Sequence, residues 1–506
     1  MRLAACAVAM LAGACSPPGR PPAGGDGPPP IVVDGPPDAW VDVCKIGPDD
    51  NAVGACDRRA PPGSFDPVVQ WAWTGPPGFT RSIITPLVAN LTDDNGDGAI
   101  DLCDTPDVVV VASPQSGQPG SIGRIFVLDG KYGTLHFEIP VDVDGTVTPA
   151  LGDLDHDGVP EIVAVDPIGR IVIFDHTGAL VHGPAGAWSG SRENAALALA
   201  DLDHDGEVEI LGGVTVFDAR GEVKWAATTS APSMATTAAD LDGDGYLEVV
   251  FGHAAYRHDG TLYWDTGLAP GFPAIANLDD DEEPEVLLTN RDGVSLIDHD
   301  GHVQYRDRRA GPGIWGLNAW MRPAAIHDFD GDGRADFAMC TQTYFHVFSA
   351  QAEVKWSTPV SDNTGVASST AFDFLGDGRA EAVFADEQRL FVFGDTGAIL
   401  YERPRPSGTL IEYPTIADVD NDGSAEIVIV SNTYPGLPQQ PTVQVLRDRE
   451  DRWIQARRIW NQHTYHVTNV REDGTIPAHE PPSWKRLNTF RTNAQINGSA
   501  VCDPVR

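Results

Sequence analysis

Short apolar runs rich in β-branched residues recur along the chain, each bounded by acidic or glycine-containing turns: Ile162-Val163-Ala164-Val165, Val249-Val250-Phe251 and Ile427-Val428-Ile429-Val430. Runs of this kind, short and without a helical period, read as buried strands. Each is followed by a second apolar run ending in a turn, then a glycine and a third run. Examples are Ile171-Val172-Ile173-Phe174 with Gly178-Ala179-Leu180, Val214-Thr215-Val216-Phe217 with Gly221 to Trp225, and Leu390-Phe391-Val392-Phe393 with Gly397 to Leu400. With the segment that enters the next acidic loop, such as Pro273-Ala274-Ile275-Ala276, each unit holds four short strands. An array of such units predicts an all-β fold, a β-propeller with four-stranded blades. Eight blades are expected, with seven plus a divergent unit as the alternative. The segment Val68-Val69-Gln70-Trp71 precedes the first acidic loop and matches the fourth run of later units, Glu353-Val354-Lys355-Trp356 and Leu262-Tyr263-Trp264. It is expected to complete the last blade, sealing the ring and removing its edges.

The loops that precede the β-branched runs share the pattern DxDxDGxx[DE]. Position 1, 3, 5 and 9 residues are Asp93, Asn95, Asp97 and Asp101 in the first copy, Asp153, Asp155, Asp157 and Glu161 in the second, and Asp201, Asp203, Asp205 and Glu209 in the third. The fourth has Asp240, Asp242, Asp244 and Glu248, the fifth Asn277, Asp279, Asp281 and Glu285, and the sixth Asp328, Asp330, Asp332 and Asp336. The seventh offers Asp373, Asp377 and Glu381, and the eighth Asp418, Asp420, Asp422 and Glu426. Carboxylates at positions 1, 3 and 5 of a tight turn converge on one side. Glycine at position 6 permits the reversal, position 7 offers a carbonyl, and position 9 returns another carboxylate. This is a cage of hard oxygen donors suited to Ca2+, the expected cofactor at several sites. Two copies are weaker, with Glu282 in place of the glycine of the fifth and Leu375 at position 3 of the seventh. An EF-hand is excluded, because it needs a bidentate Glu at position 12 and flanking helices. Position 12 is Ala164, Gly212, Phe251, Leu288, Met339, Phe384 or Ile429 in seven copies, and Asp104 in the first alone.

The net charge of −39 supports the metal reading, since crowded carboxylates repel one another without a cation. It also argues against nucleic acid, whose phosphates need a basic surface. Residues 1–14 have the charged and apolar regions of a signal peptide. The segment Leu11-Ala12-Gly13-Ala14-Cys15-Ser16 resembles the lipobox of bacterial lipoproteins, which implies lipidation of Cys15. Residues 15–40 then form a lipidated cysteine and Pro/Gly-rich tether. A short cysteine-containing segment spans 41–65, where Cys44 and Cys56 are disulfide candidates. Cys103 with Cys502 is a further possibility if the chain ends meet, and Cys340 reads as a buried free thiol.

The loop followed by a β run, with Phe251-Gly252-His253-Ala254 after one copy, resembles the FG-GAP and VCBS repeats of integrin alpha-subunit propellers and many bacterial exported proteins. The resemblance covers residues 66–450 and implies a radial propeller with calcium in hairpin loops on one face. Residues 451–506 differ, being aromatic and basic, with Arg457-Arg458-Ile459-Trp460-Asn461-Gln462-His463-Thr464-Tyr465-His466 at their centre. They are expected to form a cap on the ring. No nucleophile elbow, P-loop or HExxH motif is present. The expected function is a calcium-binding, exported module, anchored by lipid to the outer membrane or cell surface, that binds an extracellular protein or glycan as a monomer and has no enzymatic activity. The alternative is a polysaccharide lyase or glycoside hydrolase using Arg458, His463, Tyr465 and His466.

Overall fold

The computed structural model describes residues 54–504 apart from 57, 62, 115–119, 190–191, 193, 229–234, 280, 317–321 and 498–499. The signal peptide, Cys15, the tether and Cys44 lie outside the described residues. The chain forms eight antiparallel meanders. Blade 1 comprises Leu87–Ala89, Asp107–Ala112, Ile122–Asp129 and Leu135–Asp144, and blade 2 Ala150–Gly152, Glu161–Val165, Ile171–Phe174 and Leu180–His182. Blade 3 holds Ala195–Ala200, Glu209–Gly212, Thr215–Phe217 and Val223–Ala226, with Val147–Thr148 added in parallel to its first strand. Blade 4 is built from Thr237–Ala239, Glu248–Val250, Ala254–Tyr256 and Leu262–Asp265, and blade 5 from Phe272–Ala276, Glu285–Thr289, Val294–Asp298 and Val303–Arg308. Ala325–His327, Asp336–Cys340, Tyr344–Ser349 and Val354–Pro359 form blade 6, and Ser369–Phe372, Glu381–Ala385, Arg389–Phe393 and Ile399–Pro404 form blade 7.

Blade 8 closes the ring. Its inner strands Thr415–Ala417, Glu426–Val430 and Val443–Asp448 are completed by Pro67–Trp73, which runs antiparallel with Trp73 opposite Val443. The strand before the first loop therefore belongs to the last blade, and eight blades replace the seven-blade alternative. Burial explains the hydrophobic pattern. Inner strands such as Glu161–Val165 are covered on both faces by neighbouring blades and are buried throughout, whereas the outer Leu180–His182 is exposed at every residue. A strand buried on both faces has no reason to alternate, hence the continuous apolar runs.

Every fourth strand carries a β-bulge near its start. The bulged residues are His136, Val181, Lys224, Tyr263, Gln304, Lys355, Leu400 and, in the strand that closes blade 8, Gln70. A bulge re-aims its side chain and increases local twist. In blades 3, 4, 5 and 8 the residue after it docks on the next blade. Trp225 and Trp264 donate their indole N–H groups to His258 O (2.9 Å) and His299 O (3.0 Å), and Trp71 donates to Gly130 O (2.6 Å) across the ring closure.

Residues beyond 451 cross the inner strands of all eight blades. Trp460 exchanges backbone hydrogen bonds with Val88 (2.8 and 3.0 Å), and Leu151 N–H donates to Asn461 O (2.8 Å). Gln462 Oε1 accepts from Leu199 N–H (2.8 Å), and Thr464 Oγ1 donates to Thr236 O (3.1 Å). Asn277 N–H donates to Asn488 Oδ1 (2.8 Å), and Ile326 N–H to Phe490 O (2.9 Å). Ile454 N–H donates to Phe374 O (3.0 Å), and Asn493 Nδ2 to Ile416 O (2.7 Å). The innermost strands have a free edge facing the ring axis, and this segment pairs with it. The first and last described strands also meet, as Gly54–Cys56 pairs in parallel with Ala500–Pro504. Cys103 is disulfide-bonded and Cys340 is a buried free thiol.

Candidate metal centres

Each acidic loop joins the first strand of a blade to the second, and in every loop but the first the position 9 carboxylate opens the second strand. One of its oxygens accepts the position 2 backbone N–H: Glu161 from Leu154 (2.8 Å), Glu209 from Leu202 (2.9 Å), Glu248 from Leu241 (2.9 Å), Glu285 from Leu278 (2.6 Å), Glu381 from Phe374 (3.0 Å) and Glu426 from Val419 (2.9 Å). The position 1 carboxylate accepts from the position 6 glycine, as at Asp153 and Gly158 (3.1 Å) or Asp373 and Gly378 (2.7 Å). That glycine is left-handed, with φ of 91° at Gly158 and 89° at Gly206, a conformation other residues adopt only at a cost. Position 5 accepts from position 7, as at Asp157 and Val159 (2.9 Å). In the second, third and fourth loops the backbone thus fixes one oxygen of the position 1 carboxylate and leaves the other without a hydrogen-bond partner.

The position 1, 3 and 9 carboxylates converge in the second, third and fourth loops. Asp153, Asp155 and Glu161 bring ligand atoms within 4.8 Å of one another, as do Asp201, Asp203 and Glu209, and Asp240, Asp242 and Glu248. Asp153 and Asp201 are 4% and 2% exposed, yet Oδ1 of each lacks a hydrogen-bond partner; so does Oε1 of the fully buried Glu426. A buried, unpaired carboxylate oxygen is costly unless a cation balances it, so the donor set fits Ca2+. Burial pushes the Glu161 carboxyl up to about 7 and Glu285 to about 8, and nearby aspartates add to the effect. It holds Glu381 and Glu426 well above the usual range too.

Other loops depart from the pattern. In the fifth, Asp279 and Glu285 gather with Asp298, while the Asn277 side chain donates to Asp281 O (2.6 Å) within the loop. In the sixth, Asp330, Asp332 and Asp336 surround Lys355 Nζ. The seventh is covered where Leu375 replaces a carboxylate, as its carbonyl accepts from Ala60 N–H (2.9 Å). Asp418 and Asp420 of the eighth accept amide hydrogen bonds from Gln455 (2.7 Å) and Gln70 (2.8 Å).

The first loop runs from residue 90 to 106 and is longer than the others. Asp107, not Asp101, opens its second strand and accepts Leu91 N–H (2.9 Å), the role Glu161 has in blade 2. Asp93, Asn95 and Asp97 wrap the backbone of the insertion, Asp101 accepts from Cys103 N–H (2.7 Å), and Asp104 accepts from Asp94 (3.0 Å), Asn95 (3.1 Å) and Asp101 (2.9 Å). A different set converges there: His136 Nε2 lies 3.4 Å from Asp107, 3.7 Å from Asp94 and 3.8 Å from Asp129. The insertion also reaches blade 8, where Asn421 Nδ2 donates to Leu102 O (3.3 Å) and Asp104 O (3.2 Å).

Spacing within the loops does not reveal His136, Lys224, Lys355 or Asp298. For His136, Lys224 and Lys355 the available signal lies in the fourth run, where the residue just before the aromatic is the bulged one, as in Glu353-Val354-Lys355-Trp356.

The tail residues weighed for catalysis are buried. His463 and Tyr465 are fully buried, Arg458 is 1% and His466 4% exposed. Arg458 pairs with Glu472 (2.8 Å), His466 with Glu480 (2.6 Å), and Tyr465 donates to Asn493 (2.8 Å). Burial lowers the His463 pKa well below its ordinary value, keeping the ring neutral.

Comparison with known proteins agrees with this architecture. A model of the FG-GAP-like repeat matches residues 153–212, from the loop of blade 2 to the second strand of blade 3. No curated protein matches the chain. The solved structure of the Vibrio cholerae biofilm matrix protein Bap1 is 22% identical over 87% of this chain and 100% of its own, with a TM-score of 0.73. The exotype rhamnogalacturonan lyase YesX is 15% identical over 87% of this chain and 84% of its own, with a TM-score of 0.52. Likeness at this level concerns the fold. Residues 153–212 match the FG-GAP-like repeat, and the chain is an eight-bladed β-propeller of four-stranded antiparallel blades.

Proposed function

We propose that this protein is a calcium-stabilised, exported propeller, held to a membrane by lipid on Cys15, that binds an extracellular protein or glycan and has no turnover. The observation that carries this reading is the use made of the tail. Arg458, His463, Tyr465 and His466 are buried within the ring, and Arg458 and His466 are paired with Glu472 and Glu480, so this cluster offers no solvent-accessible acid or base to a substrate. The buried, unpartnered oxygens of Asp153 and Glu426 support calcium as the structural ion. A biofilm matrix protein with the same architecture makes a surface-binding role the natural counterpart, while the lyases of similar fold define the competing reading.

The test incubates the calcium-loaded protein with a panel of acidic and neutral polysaccharides and follows both retention and the appearance of unsaturated or reducing ends. Retention without new ends is expected. Product formation that is lost on replacing His463, Tyr465 and His466 by Ala, with the melting temperature unchanged, would establish the lyase instead. Membrane fractionation of a Cys15→Ser variant checks the anchor, which predicts release of the protein or retention of an uncleaved signal.

A further inference from the structure

The acidic cages are similar in their loops but differ in the side chain that the bulge of the fourth strand aims at them. Blade 6 presents Lys355, and its Nζ lies 2.7 Å from Asp330, 2.7 Å from Asp336 and 3.5 Å from Asp332. These are positions 3, 9 and 5 of the loop, the oxygens a divalent ion would need. Blade 3 presents Lys224, 2.6 Å from Glu209 and 3.6 Å from Asp203. In blade 4 the bulged Tyr263 stacks under Arg257, which reaches Asp242 (2.7 Å), Asp244 (3.3 Å) and Glu248 (3.7 Å). Blades 2 and 7 place the uncharged Val181 and Leu400 there, and blades 5 and 8 the neutral amides of Gln304 and Gln70.

We propose that Lys355 is a tethered cation that takes the place of a divalent ion in blade 6, and that Lys224 and Arg257 compete with the ion in blades 3 and 4. Calcium then binds most tightly where the bulge carries no charge, as in blade 2. Calcium sits about 2.3–2.6 Å from its oxygens. An ion bonded to Asp330 and Asp336 would occupy the volume that Nζ fills, so it could enter only by expelling Lys355 from three carboxylates. The ammonium is on the same chain and needs no free ion, which makes its local concentration independent of the medium. Coverage is less complete in blades 3 and 4, where Asp201 Oδ1 and Asp240 Oδ1 keep no hydrogen-bond partner; these cages retain weaker affinity. In blade 2 no basic side chain is aimed at the loop by the bulge, and Asp153 Oδ1 is unpartnered.

The inference rests on the calcium reading above, and a test resolved by blade separates the two. Hydrogen exchange of the full chain is compared in calcium and in excess chelator, for the wild type, Lys355→Gln and Val181→Lys. Lys355→Gln installs the amide that blades 5 and 8 already carry at this place, so the fold is expected to tolerate it. In the wild type, calcium should slow exchange in Glu161–Val165 by about tenfold or more and leave Asp336–Cys340 unchanged. Lys355→Gln should make Asp336–Cys340 calcium-dependent and add one site in calorimetric titration; Val181→Lys should abolish the response of Glu161–Val165. A wild-type blade 6 that responds as blade 2 does, or a Lys355→Gln variant that gains no site while blade 2 still responds, overturns the proposal. Blade 2 indifferent to calcium in every variant overturns the calcium reading itself, and the proposal with it.

Discussion

At the scale of single residues, the cages store a conflict between backbone and charge. The backbone holds position 9 carboxylates in buried places, where Glu161 is 3% and Glu285 1% exposed. Their carboxyls titrate near 7 and 8 in the folded chain without a metal ion, against about 4.3 when unfolded. Without a cation the folded state therefore binds more protons than the unfolded one between those values, and its stability falls as pH rises through that window. Chelated protein is expected to melt higher near pH 6 than near pH 8, with a slope of up to about 1.4 kcal/mol per pH unit for each such carboxyl. Calcium requires the deprotonated form, so its stabilising effect should grow over the same range. Melting curves in calcium and chelator across that interval check both signs; curves whose separation shrinks with rising pH would refute the account. Asp153→Asn should remove the response of blade 2 alone, because the other cages share none of its oxygens.

At the scale of the strand, one bulge sets two directions. In blade 3 it aims Lys224 at the acidic loop of its own blade and Trp225 at blade 4, so the loop and the ring packing are coupled through two adjacent residues. The docking surface is the glycine of the adjoining hairpin. A Cβ at Gly301, where φ is 88°, would lie 2.7 Å from the Cβ of Trp264, and at Gly260 it would lie 2.9 Å from the Trp225 ring. Gly301→Ala therefore meets both a disfavoured backbone conformation and a clash, and is expected to destabilise by about 1–3 kcal/mol. Trp264→Ala empties the same contact and should cost about 3–5 kcal/mol. Denaturant titration measures both, and the double variant should cost less than the sum, since the two residues share one contact.

For the whole molecule, closure depends on both ends of the chain. Pro67–Trp73 seals blade 8, and the segment after 451 satisfies backbone groups of every inner strand. Arg458 and Glu472 are paired out of water, so Arg458→Ala leaves Glu472 buried without its partner and should cost about 3–5 kcal/mol. Calorimetry should show this loss spread over the ring and not confined to one blade, because Arg458 also donates to Leu102 O (2.8 Å) of blade 1 and Asn421 (3.0 Å) of blade 8. A variant that melts like the wild type would mean that the tail is dispensable to the ring.

The sequence by itself determined the repeating unit, because strands buried on both faces must be apolar throughout and loops that gather oxygens must space them around a glycine. It also revealed the closing strand, since Val68 to Trp71 repeats the fourth run of units far along the chain. What only tertiary structure decided are the contacts between units. The register of blade 1 moves from Asp101 to Asp107 because an insertion lengthens its loop, a change that spacing alone cannot locate. Lys355 and Asp330 lie 25 positions apart, and their meeting depends on a bulge whose twist is a property of paired strands and not of either strand alone. The tail shows no periodicity because it follows the edges of eight different blades, and its order is imposed by the ring it fills.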